Sequence, residues 1–494
     1  MTPAPTTVSP APTSSAPGKC SQARIRRAWS ALSTSDKTLY KEAIAAAMDS
    51  GLYQRFLTMH VDRMDNMQAH GTCGFMYWHR QYLVGFENML RSLHPSYACV
   101  TIPYFDYIND NAKYMAKTCT TMNTCSPILN ELGSATDGIS KTVVVMGYSQ
   151  SGRCDATFPL NHFNPNEGKT NVPGCVSRGG WDKQYFPSQV GFTSVKQSLL
   201  NDPTVLAVNQ AIENNPHNYM HSILGGIMNN AYTSPSDPIF FSHHAMVDAM
   251  NAIYYKCRVA PQNYSDSQKK SYDLAFKGCR YNGGQSTITA DSTITMRTIV
   301  NGVSVDVRSE PSVKAFFADV PNAYYKLIDN TDLGVNSYSY EFSGLVGDLY
   351  DKCEKAGLET ASSLRVLKEE ANLSTSSDSY GRLQNYIVPQ QNGGHVAKYK
   401  GWRKAIVTAA RTLGWSAAKT EKEISKMVVA YYHYCLPGGV QDLSNEFKQM
   451  WRVAEVSAAV KTLNSILDGS DPIQVPGWQA LNQQYFNCNN QPAY

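Results

Sequence analysis

The chain reads as mainly helical, with long cysteine-pinned loops, a small β element and a second helical region toward the C-terminus. Three observations predict this. Apolar residues recur at helical spacing through much of residues 21–260, as in SDKTLYKEAIAAAMDSGLYQRFLTMH. The period switches to two only from residue 286, in STITADSTITMRTIVNGVSVDVRS. Amphipathic helical stretches then return at about 401–414, 420–435 and 444–467.

Taken in order, the Pro/Thr/Ser-rich residues 1–19 are expected to form a disordered stalk. They lack the apolar core of a signal peptide, so in a secreted protein Met1 would stand in place of a removed leader. The first helix is expected to start at the cap-like pair Ser35-Asp36. Residues 110–200, rich in Gly, Asn, Ser and Cys, are expected to be long loops. Asn301-Gly302 divides two alternating runs and predicts a two-residue hairpin turn. NLSTSSDSYG, 372–381, is expected to be an exposed linker or loop. A chain of 494 residues exceeds one ordinary core. The expected division is 1–19 as stalk, 20–349 as the main domain and 350–494 as a helical C-terminal domain.

Composition excludes several classes. A net charge of +4, with no long basic run, gives nucleic-acid binding little support. No apolar run approaches the roughly 18 residues of a membrane helix. The 12 cysteines are scattered and contain no CxxC, which favours disulfides in an oxidising, extracellular setting over a thiolate metal site. Asn263-Tyr-Ser and Asn372-Leu-Ser are glycosylation sequons, which fits secretion.

The histidines carry the chemistry. Of 11, two lie in HGTCGFMYWHR (His70, His79), two in HNYMH (His217, His221), two in FFSHH (His243, His244), and His60 lies just upstream. On a helix, His217 and His221 share one face and can hold one metal ion. HxxxH alone is as readily two core or surface histidines. Phe75-Met-Tyr-Trp78-His79 and Phe240-Phe-Ser-His243-His244 look like copies of one half-site. That alignment matches His244 to His79 as ligand and His243 to Trp78 as a packing residue. The result is two sets, His60, His70, His79 and His217, His221, His244. All-imidazole sets lean toward copper or zinc, and three ligands leave an open position. A pair of such ions suits two-electron chemistry on dioxygen, which zinc cannot perform.

The stretches HGTCGFMYWHRQYLVGFE (70–87), IPYFDY (102–107), IENNPHNYMH (212–221) and SDPIFFSHHAMVD (236–248) resemble the two copper-binding signatures of tyrosinases. These are type-3 dicopper proteins, a group that includes catechol oxidases and molluscan haemocyanins. The resemblance covers roughly residues 20–345. Arg26 or Arg27, with Tyr338-Ser-Tyr340, resemble the Arg and tyrosine motif that brackets the family's catalytic domain. The resemblance implies a four-helix-bundle core holding two copper ions, and ortho-hydroxylation of monophenols and oxidation of o-diphenols to o-quinones with dioxygen. The alternatives are a catechol oxidase limited to diphenols and a type-3 metal protein without monophenolase activity. Expected partners are small phenols and dioxygen, with no nucleic acid and no membrane; the sequence leaves oligomeric state, natural substrate and any role in pigment (melanin) formation open.

Further roles follow from the same resemblance. Glu213 and Asn218 resemble the family's proton-handling pair, a Glu that holds a water and an Asn that orients it. Otherwise Glu213 is a carboxylate near a helix N-terminus and Asn218 a surface polar residue. Many members link a Cys sulfur to the second histidine of the first set. Here Cys73 follows His70, so no thioether is expected and Cys73 is assigned to a disulfide. Arg80 and Asp248 are expected to orient a ligand or to pair with another charge. Phe240 is expected to pack on the imidazoles and Asp106 to cap or anchor a turn. His94, His162, His395 and His433 are read as ordinary histidines. Members of the family also carry a C-terminal domain that lays a side chain over the metal pair. Residues 350–494 have the right size for this, although a plain stabilising domain fits them equally, and the sequence names no covering side chain.

Overall fold

The computed structural model describes residues 20–134, 138–165, 174–272, 274–281, 284, 286–353, 383–389 and 393–491. The expected stalk 1–19, the linker 372–381 and the Asn372 sequon lie outside them. The chain is mainly helical. Leaving aside single turns, its helices are α1 (Thr34–Asp49), α2 (Leu52–Val61), α3 (Arg63–Ala69), α4 (Phe75–Ser92), α5 (Tyr107–Met115), α6 (Phe192–Leu200), α7 (Val205–Ile212), α8 (Asn218–Leu224), α9 (Ile239–Tyr254) and α10 (Gly344–Lys352). They continue with α11 (Gly394–Thr412), α12 (Ala417–Cys435), α13 (Asn445–Trp451), α14 (Ala458–Leu467) and α15 (Trp478–Phe486).

Helices α4 and α9 form the centre and pack on each other. Every residue from Phe75 to Leu90, and all of α9, is buried, so polar and apolar faces alike are enclosed by neighbours. Around them stand α2 and the α7–α8 segment, which complete the helical core that the resemblance implies. Phe86 and Phe241 stack at 3.5 Å between ring centroids and lock α4 to α9.

The first helix starts two residues earlier than expected. Ser33, not Ser35, is the cap, and its hydroxyl accepts from the Asp36 amide. The single stretch read from the periodicity is also broken, because Ser50 ends α1 and Gly51, at φ +76°, restarts the chain as α2. Asp106 caps α5 by accepting from the Asn109 amide.

Three small sheets accompany the helices. The predicted hairpin is present: β5 (Arg297–Val300) pairs antiparallel with β6 (Val303–Asp306). Asn301 and Gly302 form its turn at φ +51° and +78°, the left-handed pair such a turn requires. The alternating run before it forms isolated bridges only. The expectation of plain loops across 110–200 needs correction. Here β2 (Ile139–Val145), β3 (Tyr148–Asp155) and β4 (Val176–Arg178) make an antiparallel sheet. Most of β2 is exposed, so the alternation that would betray a half-buried strand is missing. The third sheet joins distant segments: β1 (Ile25–Arg26) runs parallel to β7 (Ser339–Phe342), which runs parallel to β8 (Tyr386–Ile387). Its register sets Arg26 beside Tyr340.

Among the C-terminal helices the stretch expected at 444–467 is two helices. Arg452 takes the left-handed conformation, φ +56°, and ends α13. All twelve cysteines are paired: Cys20–Cys99, Cys73–Cys279, Cys119–Cys125, Cys154–Cys175, Cys257–Cys353 and Cys435–Cys488. The Cys73 bridge, as expected, ties the loop after His70 to a segment 206 residues away.

Candidate metal centre and its cover

Six elements bring the histidines inward. His60 comes from the end of α2 and His70 from the turn after α3. His79 lies in the second turn of α4, and His243 and His244 lie in α9. His217 ends a wide turn, Glu213–His217, that contains Pro216, and His221 follows in α8. The rings of His217 and His221 are 4.5 Å apart, so the shared face survives the irregular turn.

The structure gathers His60, His70 and His79 into one buried set, and His217, His221, His243 and His244 into a second. In each set the candidate ligand atoms lie within 4.8 Å of one another. The sets face each other, with His79 stacked on His244 at 4.1 Å.

The hydrogen bonds decide which ring nitrogen is available. Nδ1–H of His60 donates to the Tyr232 carbonyl (3.1 Å), that of His70 to Asn66 (3.0 Å), that of His79 to Phe75 (2.8 Å) and that of His221 to Met228 (2.7 Å). His217 Nδ1–H donates to Asn218 Oδ1 at 2.9 Å. A carbonyl can only accept, so these rings carry the proton on Nδ1 and present a bare Nε2. Nε2 of His60, His70, His79 and His217 is buried without a partner, and the Nε2 atoms of His221 and His244 converge to 3.4 Å. Bare, buried, converging imidazole lone pairs are costly unless an electrophile takes them, so the arrangement fits metal ions. Burial, then the neighbouring imidazoles, holds the pKa of His60 and His79 well below the ordinary value. Burial likewise pushes His70 down to about 4. The rings are therefore neutral, as ligation requires. His243, which the sequence left as a packing residue, belongs to the second cluster; its two nitrogens are without partners and its ring lies parallel to His217.

Phe240 packs on the imidazoles, 4.1 Å from His244 and 5.1 Å from His60. Arg80 and Asp248 pair with each other (2.6 Å) rather than with a histidine. Asp248 also accepts from Arg26 (3.1 Å) and from the hydroxyls of Tyr338 and Tyr340, and Arg26 reaches Glu87 (2.9 Å). This buried charge node ties α4 to α9, and it is where the N-terminal arginine meets the tyrosine pair.

Glu213 and Asn218 have separate partners. Both Glu213 oxygens accept from the Gly71 amide, at 2.8 and 2.9 Å. Burial pushes its carboxyl up to about 8, against the pull of that amide. Asn218 is committed to His217 and, at 3.4 Å, to Asn214. His94 caps a short turn and His162 meets Asp49, both outside the centre. His395 and His433 lie on α11 and α12, away from both sets.

One side chain at the centre had no signal in the sequence. Trp451, the last residue of α13, lies 4.4 Å from the His221 ring, 5.4 Å from His217 and 5.6 Å from His70. Its Nε1–H donates to the Asn229 carbonyl at 2.8 Å, and Phe447 stacks on its outer side. A cavity of about 720 Å³ runs beside it, lined by His70, Glu213 and Tyr219 on one wall and by Trp451 and Val453 on the other.

Residues 50–256 match the common central domain of tyrosinase. A tyrosinase-like protein, phomQ1', of Diaporthe leptostromiformis is 26% identical over 255 residues, 47% of this chain and 63% of its own length. Tyrosinase P of Aspergillus terreus is 23% identical over 372 residues, 65% of this chain and 93% of its own. The chain thus spans less than two thirds of phomQ1' and nearly all of tyrosinase P. Among solved structures, a polyphenol oxidase variant from Thermothelomyces thermophila aligns with a TM-score of 0.43 at 18% identity, covering 65% of this chain and 89% of that one. An octopus haemocyanin functional unit aligns at 0.38 and 17%, covering 64% and 68%. Residues 50–256, the stretch that matches the tyrosinase central domain, hold all seven clustered histidines, so the two facing imidazole sets lie within a tyrosinase-type domain.

Proposed function

We propose that this chain is a secreted copper-dependent tyrosinase that ortho-hydroxylates monophenols and oxidises o-diphenols to o-quinones with dioxygen. The observation that carries the reading is the set of buried, bare Nε2 atoms in two facing clusters. His60, His70 and His79 would hold one copper, and His217, His221 and His244 the other. The copper pair, when bound, supplies the two-electron reduction of dioxygen. His243 serves as a packing partner of His217. A phenol has a pKa near 10 and must lose its proton to bind as phenolate. Glu213 lines the cavity beside His70 and is the proton acceptor. Asn218 acts through His217, whose ring it orients. Six disulfides and the absence of a membrane-length apolar helix among the described residues support an extracellular setting. The exposed Asn263 is then open to glycosylation.

Residues 20–349 form the catalytic domain, and 350–494 form a C-terminal domain that keeps the enzyme latent through Trp451. The ring contacts of Trp451 with a histidine of each set support this. A second reading, a diphenol-only oxidase, is favoured by the commitment of Asn218 to His217, away from Glu213. Oxidation of tyramine and of catechol, measured on copper-loaded protein before and after limited proteolysis, separates the two. A lag followed by quinone from tyramine supports the tyrosinase. Turnover of catechol alone leaves the second reading.

A further inference from the structure

We propose that the unit which opens over the centre is a short lid, residues 437–457, posted on Asp442, while the rest of the C-terminal region stays fixed to the catalytic body. This rests on Trp451 being the cover.

The two parts of the region are held very differently. Helices α11, α12 and α15 are built into the body. Tyr431 donates to the Met115 carbonyl at 2.6 Å, Asn111 donates to the Tyr432 hydroxyl at 2.6 Å, and Tyr399 meets Thr193 at 2.6 Å, all buried. Arg403, fully buried, reaches Thr193 (3.2 Å) and Glu421 (2.7 Å), and Lys196 of α6 meets the same Glu421. Trp402, also fully buried, donates to Asn482 of α15. Separating these helices from α5 and α6 would strand polar and charged groups in a dry interface, a cost of the kind that keeps domains together.

The lid lacks such anchoring. It leaves α12 at Pro437-Gly438-Gly439, where Gly439 sits at φ +58°, and rejoins the helical part at α14. Leu443, Phe447 and Trp451 pack on the core, and beside them the lid lines the cavity of about 720 Å³. Its bonds to the body are few and peripheral. They are the Gly438 amide to the Tyr114 hydroxyl (3.4 Å), Trp451 to Asn229, Arg452 to the Tyr232 hydroxyl (3.3 Å), Gln189 to Ser457 (3.3 Å) and Tyr219 to Asp442 (3.3 Å). Asp442 gathers the fold of the lid around that last bond. Its carboxylate accepts from Lys448 (2.6 Å), from the Leu443 amide (2.9 Å) and from the Ser457 amide (3.4 Å). One side chain thus ties the start of the lid, the helix carrying Trp451 and the end of the lid to Tyr219, which lies midway between His217 and His221.

Hydrogen exchange by mass spectrometry on the copper-loaded full chain tests this, with Asp442→Ala against the parent. Residues 443–457 should exchange about tenfold faster, and 394–435 should be unchanged. A parallel rise across 394–435 would show the region moving as one body and overturn the lid. So would no change at 443–457. Tyr219→Phe, which removes one hydroxyl only, should give the same pattern at a few-fold, and provides the test if Asp442→Ala does not fold. Catechol oxidation on the same samples keeps the two readings apart. Faster exchange confined to 443–457 without faster oxidation sustains the lid and removes Trp451 as the cover. Faster oxidation with exchange rising throughout sustains the cover and removes the lid.

Discussion

Replacing Trp451 with Ala is the sharpest perturbation of the proposed latency. The side chain is 8% exposed, and its covered area is shared between Phe447 on one face and the imidazoles of His70, His217 and His221 on the other. Roughly half of a buried Trp, on the order of 100 Å², therefore leaves water by docking on the centre, which contributes about 2.5 kcal/mol. The Nε1–H bond to Asn229 adds about 1 kcal/mol. Together these hold the open form to roughly one molecule in several hundred, at about 1.4 kcal/mol per factor of ten. If phenol access is what limits turnover, Trp451→Ala should raise kcat/KM for catechol on the order of 100-fold. Trp451→Phe, which keeps a ring but loses the bond to Asn229, should gain roughly 5-fold. The assay is initial-rate quinone formation, normalised to copper bound per chain. A Trp451→Ala protein with the copper content of the parent and a rate within twofold of it would refute the reasoning, since the ring would then cover nothing that matters.

The remaining predictions concern the centre and its support. His244→Ala should empty the second copper position, whereas His243→Ala should cost only about 10–100-fold in activity or affinity; copper analysis showing the reverse would exchange their roles. Glu213→Gln should lower tyramine hydroxylation much more than catechol oxidation, because a catechol gives up its proton more readily; equal losses would leave Glu213 as an anchor for Gly71 alone. Asp248→Asn should destabilise the fold by about 3–5 kcal/mol, read as a lower melting temperature, because it removes the charge partner of buried Arg80 and Arg26. Burial alone would raise the Asp248 pKa, but Arg80 and Arg26 outweigh it and hold it below the ordinary range. Its contribution is therefore fully present above the unfolded value near 3.9 and lost as pH falls through the lower folded value, so parent and variant should converge in acid and differ fully at pH 7.

The sequence made the helical core and the seven clustered histidines legible because their signals are local. HNYMH needs one turn to align its rings, and the Phe–His repeat exposes two half-sites within five residues each. Asn301-Gly302 is legible for the same reason, since the turn requires what the two residues supply. What was hidden depends on distance. Trp451 touches His221 across 230 positions, and nothing in NEFKQMWRV distinguishes a cover from an ordinary core tryptophan. The β2–β3 hairpin has its mostly exposed strand on the sheet edge, so burial writes no alternation into it. The division of 444–467 at Arg452 was also hidden, since arginine is an unusual residue for a left-handed helix end. The cysteine pairing could not be read either, because connectivity is a property of the fold.

On the proposed reading, a single segment, 228–232, explains how the cover can move while the centre stays fixed. The Met228 carbonyl holds Nδ1–H of His221, and the Tyr232 carbonyl holds Nδ1–H of His60, so one segment orients a candidate ligand from each set. The Ala231 carbonyl accepts from Asn66, whose own carbonyl holds His70. The cover lands on the same segment but on other atoms: Trp451 uses the Asn229 carbonyl and Arg452 the Tyr232 hydroxyl. His60, His70 and His221 are thus held by backbone carbonyls that Trp451 and Arg452 do not bond. On the proposed reading, lifting Trp451 exposes the Asn229 carbonyl to water, which can replace the lost donor at little cost, and leaves the Nδ1 bonds of His60, His70 and His221 made. The Asp248 node separately ties α4 to α9 through Arg80. Ligand geometry and access are therefore set by different atoms of one frame, and access can change while geometry stays.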